Sequence, residues 1–147
     1  MTEQAILLVE DSKSDEKLTL RALKKNNIAN PVVVARDGAD ALDYLFARGL
    51  HANRDKKELP QVVLLDLKLP KISGLEVLGQ IRADERTKLV PVVILTSSNE
   101  DQDLARAYAL GANSYIVKPV DFTKFADVVQ QLGLYWLVLN QPAPTAS

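Results

Sequence analysis

Cysteine is absent from this sequence of 147 residues, and histidine occurs only once, at His51. Without cysteine the chain cannot form disulfides, use a thiolate as a nucleophile or bind a metal through sulfur. His51 lies in a polar stretch, which argues against a histidine metal cluster or a Ser-His-Asp triad at that place. The absence of cysteine therefore excludes thiol catalysis and cysteine metal sites, and the single histidine disfavours histidine metal sites and catalytic triads.

Excess charge and long apolar runs are also missing. The formal net charge is -1, so no bulk basic field is present to attract nucleic acid. No apolar run approaches the roughly 20 residues of a membrane span. The N-terminal stretch MTEQAILLVED reaches an acidic pair after five apolar residues and lacks the basic leader of a signal peptide. We therefore expect a cytoplasmic protein that binds neither nucleic acid nor a membrane.

Five short apolar runs are the main structural signal, at 6–9, 32–35, 62–65, 92–95 and 114–117. Runs that are continuously apolar are typical of strands covered on both faces, and each run here is followed by a segment with helical spacing. The composition and length suit one soluble globular domain. The pattern predicts an α/β domain with a doubly wound, five-stranded parallel sheet and helices on both faces.

The helical segments have recognisable ends. We expect the first to begin near Ser14 or Asp15 and the others to cover about 37–47, 74–83, 100–110 and 121–139, the last with Asp121 as its N-cap. The long connection 49–61 carries both charge signs and is expected to be a solvated loop rather than a site. The predicted domain spans 1–141, followed by a short disordered tail at 142–147.

Polar and charged residues stand directly after four of the predicted strands. Glu10 and Asp11 follow the first, Asp66 the third, Thr96 the fourth and Lys118 the fifth. Ligands of a doubly wound sheet collect outside the carboxyl ends of its strands, so these side chains are expected at one edge. Singly, each has a structural explanation, such as capping a helix. Together they favour a functional site, because a carboxylate that closes an apolar strand is costly to bury without a cation.

A hard divalent cation would neutralise this cluster. Mg²⁺ takes oxygen ligands and is usually held by one or two carboxylates together with phosphate oxygens, and Mn²⁺ is an alternative. We expect Asp11 and Asp66 as direct ligands and Glu10 as a ligand through water. An aspartate can also attack a phosphoryl group, with Lys118 as a second positive charge and Thr96 as a hydrogen-bond donor. These residues predict Mg²⁺-dependent formation of an aspartyl phosphate.

Four motifs carry a family resemblance: ILLVED, LLDLKLPKISGLEVL, PVVILTSS and GANSYIVKPV. With the acidic pair, the aspartate, the threonine and the Lys-Pro pair in this order, the chain resembles the receiver domain of two-component response regulators. The resemblance covers about residues 5–139. It implies a flavodoxin-like sheet with strand order 2-1-3-4-5.

The resemblance also implies the composition of the metal and phosphoryl site. The family's phosphoacceptor falls on Asp66 and its acidic metal pair on Glu10 and Asp11. A further metal ligand is a backbone carbonyl, which falls on Lys68. Many receivers have a neutral side chain at that position, but the lysine leaves the backbone ligand unchanged.

The resemblance further implies a switch. The family's active-site lysine falls on Lys118, its switch hydroxyl on Thr96 and its switch aromatic on Tyr115, and a cis peptide bond is expected before Pro119. Phosphorylation would draw Thr96 inward and let Tyr115 fill the vacated space. The surface of the fourth helix, fifth strand and fifth helix would then change its affinity for partners.

A narrower resemblance concerns three further stretches: DGADALDYLFARG, ARAYALGANSYIVKPVDF and QLGLYWLVLNQP. They are similar to the single-domain response regulators that are paired with cyanobacterial phytochromes. This resemblance implies that the phosphodonor is a histidine kinase of the phytochrome type, which senses light.

Three alternatives differ in class from a phosphorylation switch. A metal-dependent phosphatase with an aspartyl nucleophile, of the haloacid-dehalogenase type, needs a cap domain and a second Asp where this chain has Lys68. An interaction module that works without phosphorylation would not need all five site groups. A DNA-binding regulator is disfavoured by the chain length and near-neutral charge. We therefore expect a stand-alone response regulator, not an enzyme, that supports its own phosphotransfer and dephosphorylation and signals through protein contacts.

The C-terminal stretch GLYWLVLNQPAP contains an unbroken apolar run. At about 100° per residue, one face of the fifth helix is expected to pack on the core. Its predicted members are Phe122, Phe125, Val129, Leu132, Trp136 and Leu139. Four apolar residues fall outside that face and are expected to form a homodimer surface with the fourth helix and fifth strand: Leu134, Tyr135, Leu137 and Val138. Burial within the monomer is the alternative; membrane binding is disfavoured because no Lys or Arg flanks them.

Overall fold

The computed structural model describes residues 4–55, 57–97 and 101–132. Its core is a parallel five-stranded sheet in the order β2-β1-β3-β4-β5. The strands are β1 (Ile6–Val9), β2 (Val32–Ala35), β3 (Val62–Asp66), β4 (Val92–Thr96) and β5 (Ser114–Val117). The predicted fold class and strand order are therefore confirmed. Asp66 and Thr96 are the last residues of their strands, rather than the first residues beyond them.

Five α-helices connect and cover the strands: α1 (Lys13–Lys25), α2 (Gly38–Leu45), α3 (Gly74–Ala83), α4 (Asp101–Ala109) and α5 (Phe122–Leu132). The predicted continuation of α5 to 139 and the tail at 142–147 lie outside the described residues. The same holds for the proposed dimer residues Leu134, Tyr135, Leu137 and Val138, and for Trp136 and Leu139.

Alternate residues of each strand face opposite layers of the core. Leu7 and Val9 of β1 pack in one cluster with residues of α2 and α3, whereas Ile6 and Leu8 pack in the other with residues of α1 and α5. Every residue of β1, β3 and β4 is buried, as expected for strands that are covered on both faces. Each fully buried aliphatic side chain contributes about 1.5–3 kcal/mol, so these layers hold the strand ends in register.

Side-chain caps determine where the helices begin. The Ser12 hydroxyl accepts a hydrogen bond from the amide of Asp15, so α1 begins at Lys13, slightly before the predicted start. The Asp121 carboxylate accepts one from the Lys124 amide at 2.9 Å, which is the predicted capping contact of α5. Such a cap stabilises a helix by about 1 kcal/mol.

The inward face of α5 differs from the prediction. Phe125 is fully buried and Val128 nearly so, while Val129 packs against them. Phe122 was predicted to be in the core, but it is 47% exposed. The prediction was wrong because Val128 lies within the buried arc of α5. Phe122 is six residues before Val128, which places the two side chains about 120° apart around the helix axis.

The connection between α2 and β3 packs against α2. Arg54 stacks its guanidinium on the Tyr44 ring at 3.7 Å and donates hydrogen bonds to the carbonyls of Tyr44 and Glu58. His51 Nε2 lies 2.8 Å from Asp40 Oδ1 in the first turn of α2. A single Arg thus ties the middle of this long loop to α2 and to the part of the loop that approaches β3.

Arg82 joins the far end of α3 to two loops. Its guanidinium donates to the carbonyls of Gly111, Lys88 and Val90 and to Asn113 Oδ1, at 2.7–3.1 Å. Burial lowers the pKa of Arg82 from its ordinary value.

We predict that Arg82→Met lowers the free energy of unfolding by about 2 to 3 kcal/mol, because the carbonyls lose a charged donor that no neighbour replaces. Urea unfolding would measure it. Arg36→Met is the matched control, since Arg36 makes a half-exposed pair with Glu16 that is worth under about 1 kcal/mol. Equal losses in the two variants would contradict the prediction.

Two glycines of α3 provide a second test. A Cβ on Gly74 would lie 2.2 Å from the carbonyl oxygen of Asp66, whereas a Cβ on Gly79 would meet no atom within 4 Å. Gly74→Ala should lower the free energy of unfolding by about 1 to 3 kcal/mol through overpacking. Gly79→Ala should raise it by about 0.5 to 1 kcal/mol through helix propensity. Thermal or urea unfolding would show effects of opposite sign, and effects of one sign would refute the packing argument.

Candidate functional site

Three carboxylates meet at the carboxyl edge of the sheet. Glu10 and Asp11 follow β1, and Asp66 ends β3. Each offers a carboxylate oxygen, and these oxygens all lie within 4.8 Å of one another. Glu10 is completely buried, Asp66 is nearly so and Asp11 is exposed. The sequence therefore placed these three residues together correctly, while their roles as ligands and phosphoacceptor stay predictions.

The backbone around these residues explains their placement. The amide of Glu10 donates to the carbonyl of Ala35, which extends the pairing of β1 with β2 by one residue. Asp66 pairs with Leu95 in the sheet, and its Oδ1 accepts a hydrogen bond from the amide of Lys68 at 3.0 Å. The close approach of Gly74 to the Asp66 carbonyl lets α3 begin beside this loop.

Lys118 reaches the same cluster from the end of β5. Its amide donates to the carbonyl of Thr96 at 2.7 Å, and its bond to Pro119 is cis, as the family resemblance implied. Its Nζ lies 2.9 Å from both Glu10 Oε1 and Asp66 Oδ2. The lysine therefore bridges β1 and β3, as expected for an ammonium at this edge.

Asp15 is the site residue that the sequence reading missed. Its Oδ2 accepts a hydrogen bond from Lys118 Nζ at 3.0 Å. Sequence reasoning treated Asp15 only as a helix start. The available signal was its position in the first turn of α1, since a helix that follows β1 begins at the same sheet edge as the other carboxylates.

Burial and like charge perturb the ionisation of the cluster. Burial, followed by the neighbouring Asp66, raises the pKa of Glu10 to about 7, although Lys118 acts in the opposite direction. Burial alone would lower the pKa of Lys118, but its contacts with Glu10, Asp66 and Asp15 outweigh this effect and raise it. Lys118 therefore carries the positive charge of the cluster, whereas burial and the neighbouring Asp66 disfavour the charged form of Glu10.

The donor set suits a hard divalent cation. All three acidic residues offer oxygen ligands, which Mg²⁺ and Mn²⁺ prefer. Glu10 Oε1 is buried and accepts no well-aligned hydrogen bond from the described residues, although Lys118 is its ion-pair partner. A cation next to Asp11 would satisfy this oxygen and oppose the repulsion that raises the pKa of Glu10. The backbone carbonyl of Lys68 as a further ligand stays a prediction.

The two predicted switch residues lie on either side of the last strand pair. Thr96 is buried at the end of β4, opposite Val117 of β5. Tyr115 of β5 is 37% exposed, and its ring makes an edge contact with Tyr108 of α4 at 5.9 Å between centroids. The side chain of Tyr115 therefore points away from the core in this conformation, and its switching role stays a prediction.

No helix in the described ranges is long and apolar enough to cross a membrane.

Curated proteins of similar sequence match over nearly the whole chain. The probable methanogenesis regulatory protein FilR2 of Methanothrix harundinacea is 44% identical over 140 residues, covering 95% of this chain and 88% of that protein. Response regulator Rcp1 of a Synechocystis strain is 37% identical over 134 residues, covering 91% of this chain and 89% of Rcp1.

Three solved structures are similar in fold and sequence. The bacteriophytochrome response regulator RtBRR superposes with a TM-score of 0.86 at 50% identity, over 97% of this chain and 86% of that one. The Mn²⁺-bound form of Rcp1 has a TM-score of 0.75 at 37% identity, over 95% and 99%. The phosphorylated cyanobacterial phytochrome response regulator RcpA has a TM-score of 0.77 at 36% identity, over 98% and 100%.

The family model agrees with these matches. The model described as response regulator receiver domain matches residues 6–130, which span the sheet, the carboxylate cluster and Lys118. With the confirmed strand order and the relatives above, this match identifies the family. The chain belongs to the response regulator receiver domain family of two-component systems.

Proposed function

We propose that this protein accepts a phosphoryl group on Asp66 from a histidine kinase in a reaction that requires Mg²⁺, and then signals through altered protein contacts. The observation that carries the proposal is the contact of Lys118 Nζ with Asp66 Oδ2 at 2.9 Å. It lies inside a cluster of three carboxylates that suits a divalent cation. A carboxylate nucleophile, a fixed ammonium and a metal site are the elements that phosphoryl transfer requires.

The transfer is a displacement at phosphorus. An oxygen of Asp66 forms the new O–P bond, while the P–N bond to the kinase histidine breaks and its electron pair stays on the imidazole. Mg²⁺, or Mn²⁺ in its place, would be held by Glu10, Asp11 and Asp66 and would supply positive charge next to the phosphoryl oxygens. Lys118 supplies positive charge from its own side of Asp66. Attack of water on the phosphorus then breaks the O–P bond to Asp66, releases inorganic phosphate and regenerates the carboxylate.

The named relatives support both the metal and the kinase. Rcp1 is described in an Mn²⁺-bound form and RcpA in a phosphorylated form, and both resemble this chain over most of their length. RtBRR and RcpA are described as regulators of bacteriophytochrome and phytochrome systems. We extend this by proposing a phytochrome-type histidine kinase as the phosphodonor.

In this proposal, residues of β4 and β5 convey the phosphorylation of Asp66 to the protein surface. The Thr96 hydroxyl would bind a phosphoryl oxygen, and movement of Thr96 would leave room for Tyr115. The contact of Tyr115 with Tyr108 would then break, since both rings cannot keep their edge geometry when one turns inward. This coupling would carry the charge change at Asp66 to the α4–β5–α5 face.

We predict that Asp66→Asn abolishes phosphorylation by acetyl phosphate. Intact-mass spectrometry should show one added phosphoryl group on the wild type in Mg²⁺, and none on the variant or in the presence of EDTA. Asp127→Asn is the matched control, because Asp127 is an exposed residue of α5; this variant should be phosphorylated to the same extent as the wild type. Labelling of Asp66→Asn at the wild-type level would contradict the assignment.

A homodimer through the α4–β5–α5 face is a further part of the proposal. The described part of this face exposes Tyr108 of α4 and Tyr115 of β5, whose rings are in contact. Exposed apolar groups on one face mark protein contacts more often than chance. The predicted dimer residues Leu134, Tyr135, Leu137 and Val138 would extend this surface.

We predict that Tyr135→Glu and Val138→Glu yield monomers in light scattering, because each buries a charge in the proposed interface. Leu89→Glu is the control, since Leu89 is an exposed apolar residue between α3 and β4, away from that face. The control should keep the mass of the wild type. A dimer that persists in both α5-side variants would count against this interface.

A further inference from the structure

Three carboxylates surround the ammonium of Lys118. An ammonium carries three donors. Carboxylate oxygens of Glu10, Asp66 and Asp15 lie 2.9, 2.9 and 3.0 Å from its nitrogen. A phosphoryl group that arrives on Asp66 brings further oxygens to the same ammonium, where they compete with these carboxylates for Lys118.

The three partners differ in how readily water can replace the lysine. The side chain of Glu10 is completely buried and that of Asp66 is 7% exposed, whereas that of Asp15 is 33% exposed. A buried carboxylate without its cation pays a large desolvation cost, while a partly exposed one is hydrated. Asp15 is therefore the partner whose release costs least.

We propose that Asp15 is a positioning residue that holds Lys118 between Glu10 and Asp66 in the resting protein and yields its place to the phosphoryl group. This inference rests on the proposed function of Asp66. Its consequence is that Asp15 competes with the phosphoryl group for Lys118. Removing the charge of Asp15 should then strengthen the binding of a phosphoryl analogue.

The test is the affinity for beryllofluoride in saturating Mg²⁺, measured by isothermal titration calorimetry on Asp15→Asn. Asparagine keeps the shape of the side chain and loses its charge. Glu16→Gln is the matched control, because it removes the same charge from the same first turn of α1 while Glu16 contacts Arg36 instead. Asp15→Glu restores the charge, and urea unfolding of every variant verifies that it is folded.

We expect Asp15→Asn to bind beryllofluoride about two- to fivefold more tightly than the wild type, the range for loss of one partly exposed ion pair. Glu16→Gln should match the wild type, and Asp15→Glu should return toward it. The ¹⁵N NMR signal of the Lys118 ammonium should broaden or shift in Asp15→Asn alone, a change that a purely structural role would not produce.

The outcomes separate the two proposals. If the wild type binds beryllofluoride and Asp66→Asn does not, the proposed function stands, and unchanged or weaker binding by Asp15→Asn overturns the inference alone. If the wild type fails to bind beryllofluoride in Mg²⁺, the proposed function and this inference both fall.

Discussion

A lysine ammonium held among carboxylates at one edge of a parallel sheet is the interaction on which the site depends. Lys118 is mostly buried and touches oxygens from β1, α1 and β3. Each acid would be costly to bury by itself, and the lysine would be costly without them. Because these charges come from separate elements, the Lys118 ammonium links the end of β5 to β1, α1 and β3. One lysine does not balance all of the carboxylates, and the remaining negative charge suits a divalent cation.

The hydrophobic layers on both faces of the sheet hold these charged residues in place. The central strands are buried along their whole length, so their ends project the polar residues to one edge in fixed register. The close approach of Gly74 lets α3 begin beside the Asp66 carbonyl, and the Ser12 cap starts α1 shortly after β1. Local caps and close packing thus hold Asp66 and Asp15 on either side of Lys118.

The aromatic pair of Tyr108 and Tyr115 is the place where the proposed switch would reach the surface. Thr96 lies beside β5 in the sheet, and Tyr115 lies two residues before Val117, the Cα partner of Thr96. Two strand pairings, β3 with β4 and β4 with β5, therefore separate Asp66 from the strand that carries the exposed ring of Tyr115. The proposed switch would use this geometry to carry a modification of Asp66 to the surface around Tyr115.

The sequence by itself determined the strands, their parallel arrangement and the meeting of Glu10, Asp11, Asp66 and Lys118, because continuous apolar runs and the residues that end them are local signals. The family resemblance added the strand order and the cis bond before Pro119, both of which the structure has. Tertiary structure alone decided that Asp15 contacts Lys118, that Phe122 is exposed and that Arg54 packs on Tyr44. These features depend on the rotation of a helix about its axis and the path of a loop, which are set by packing between elements distant in sequence and leave no periodic signal in the chain.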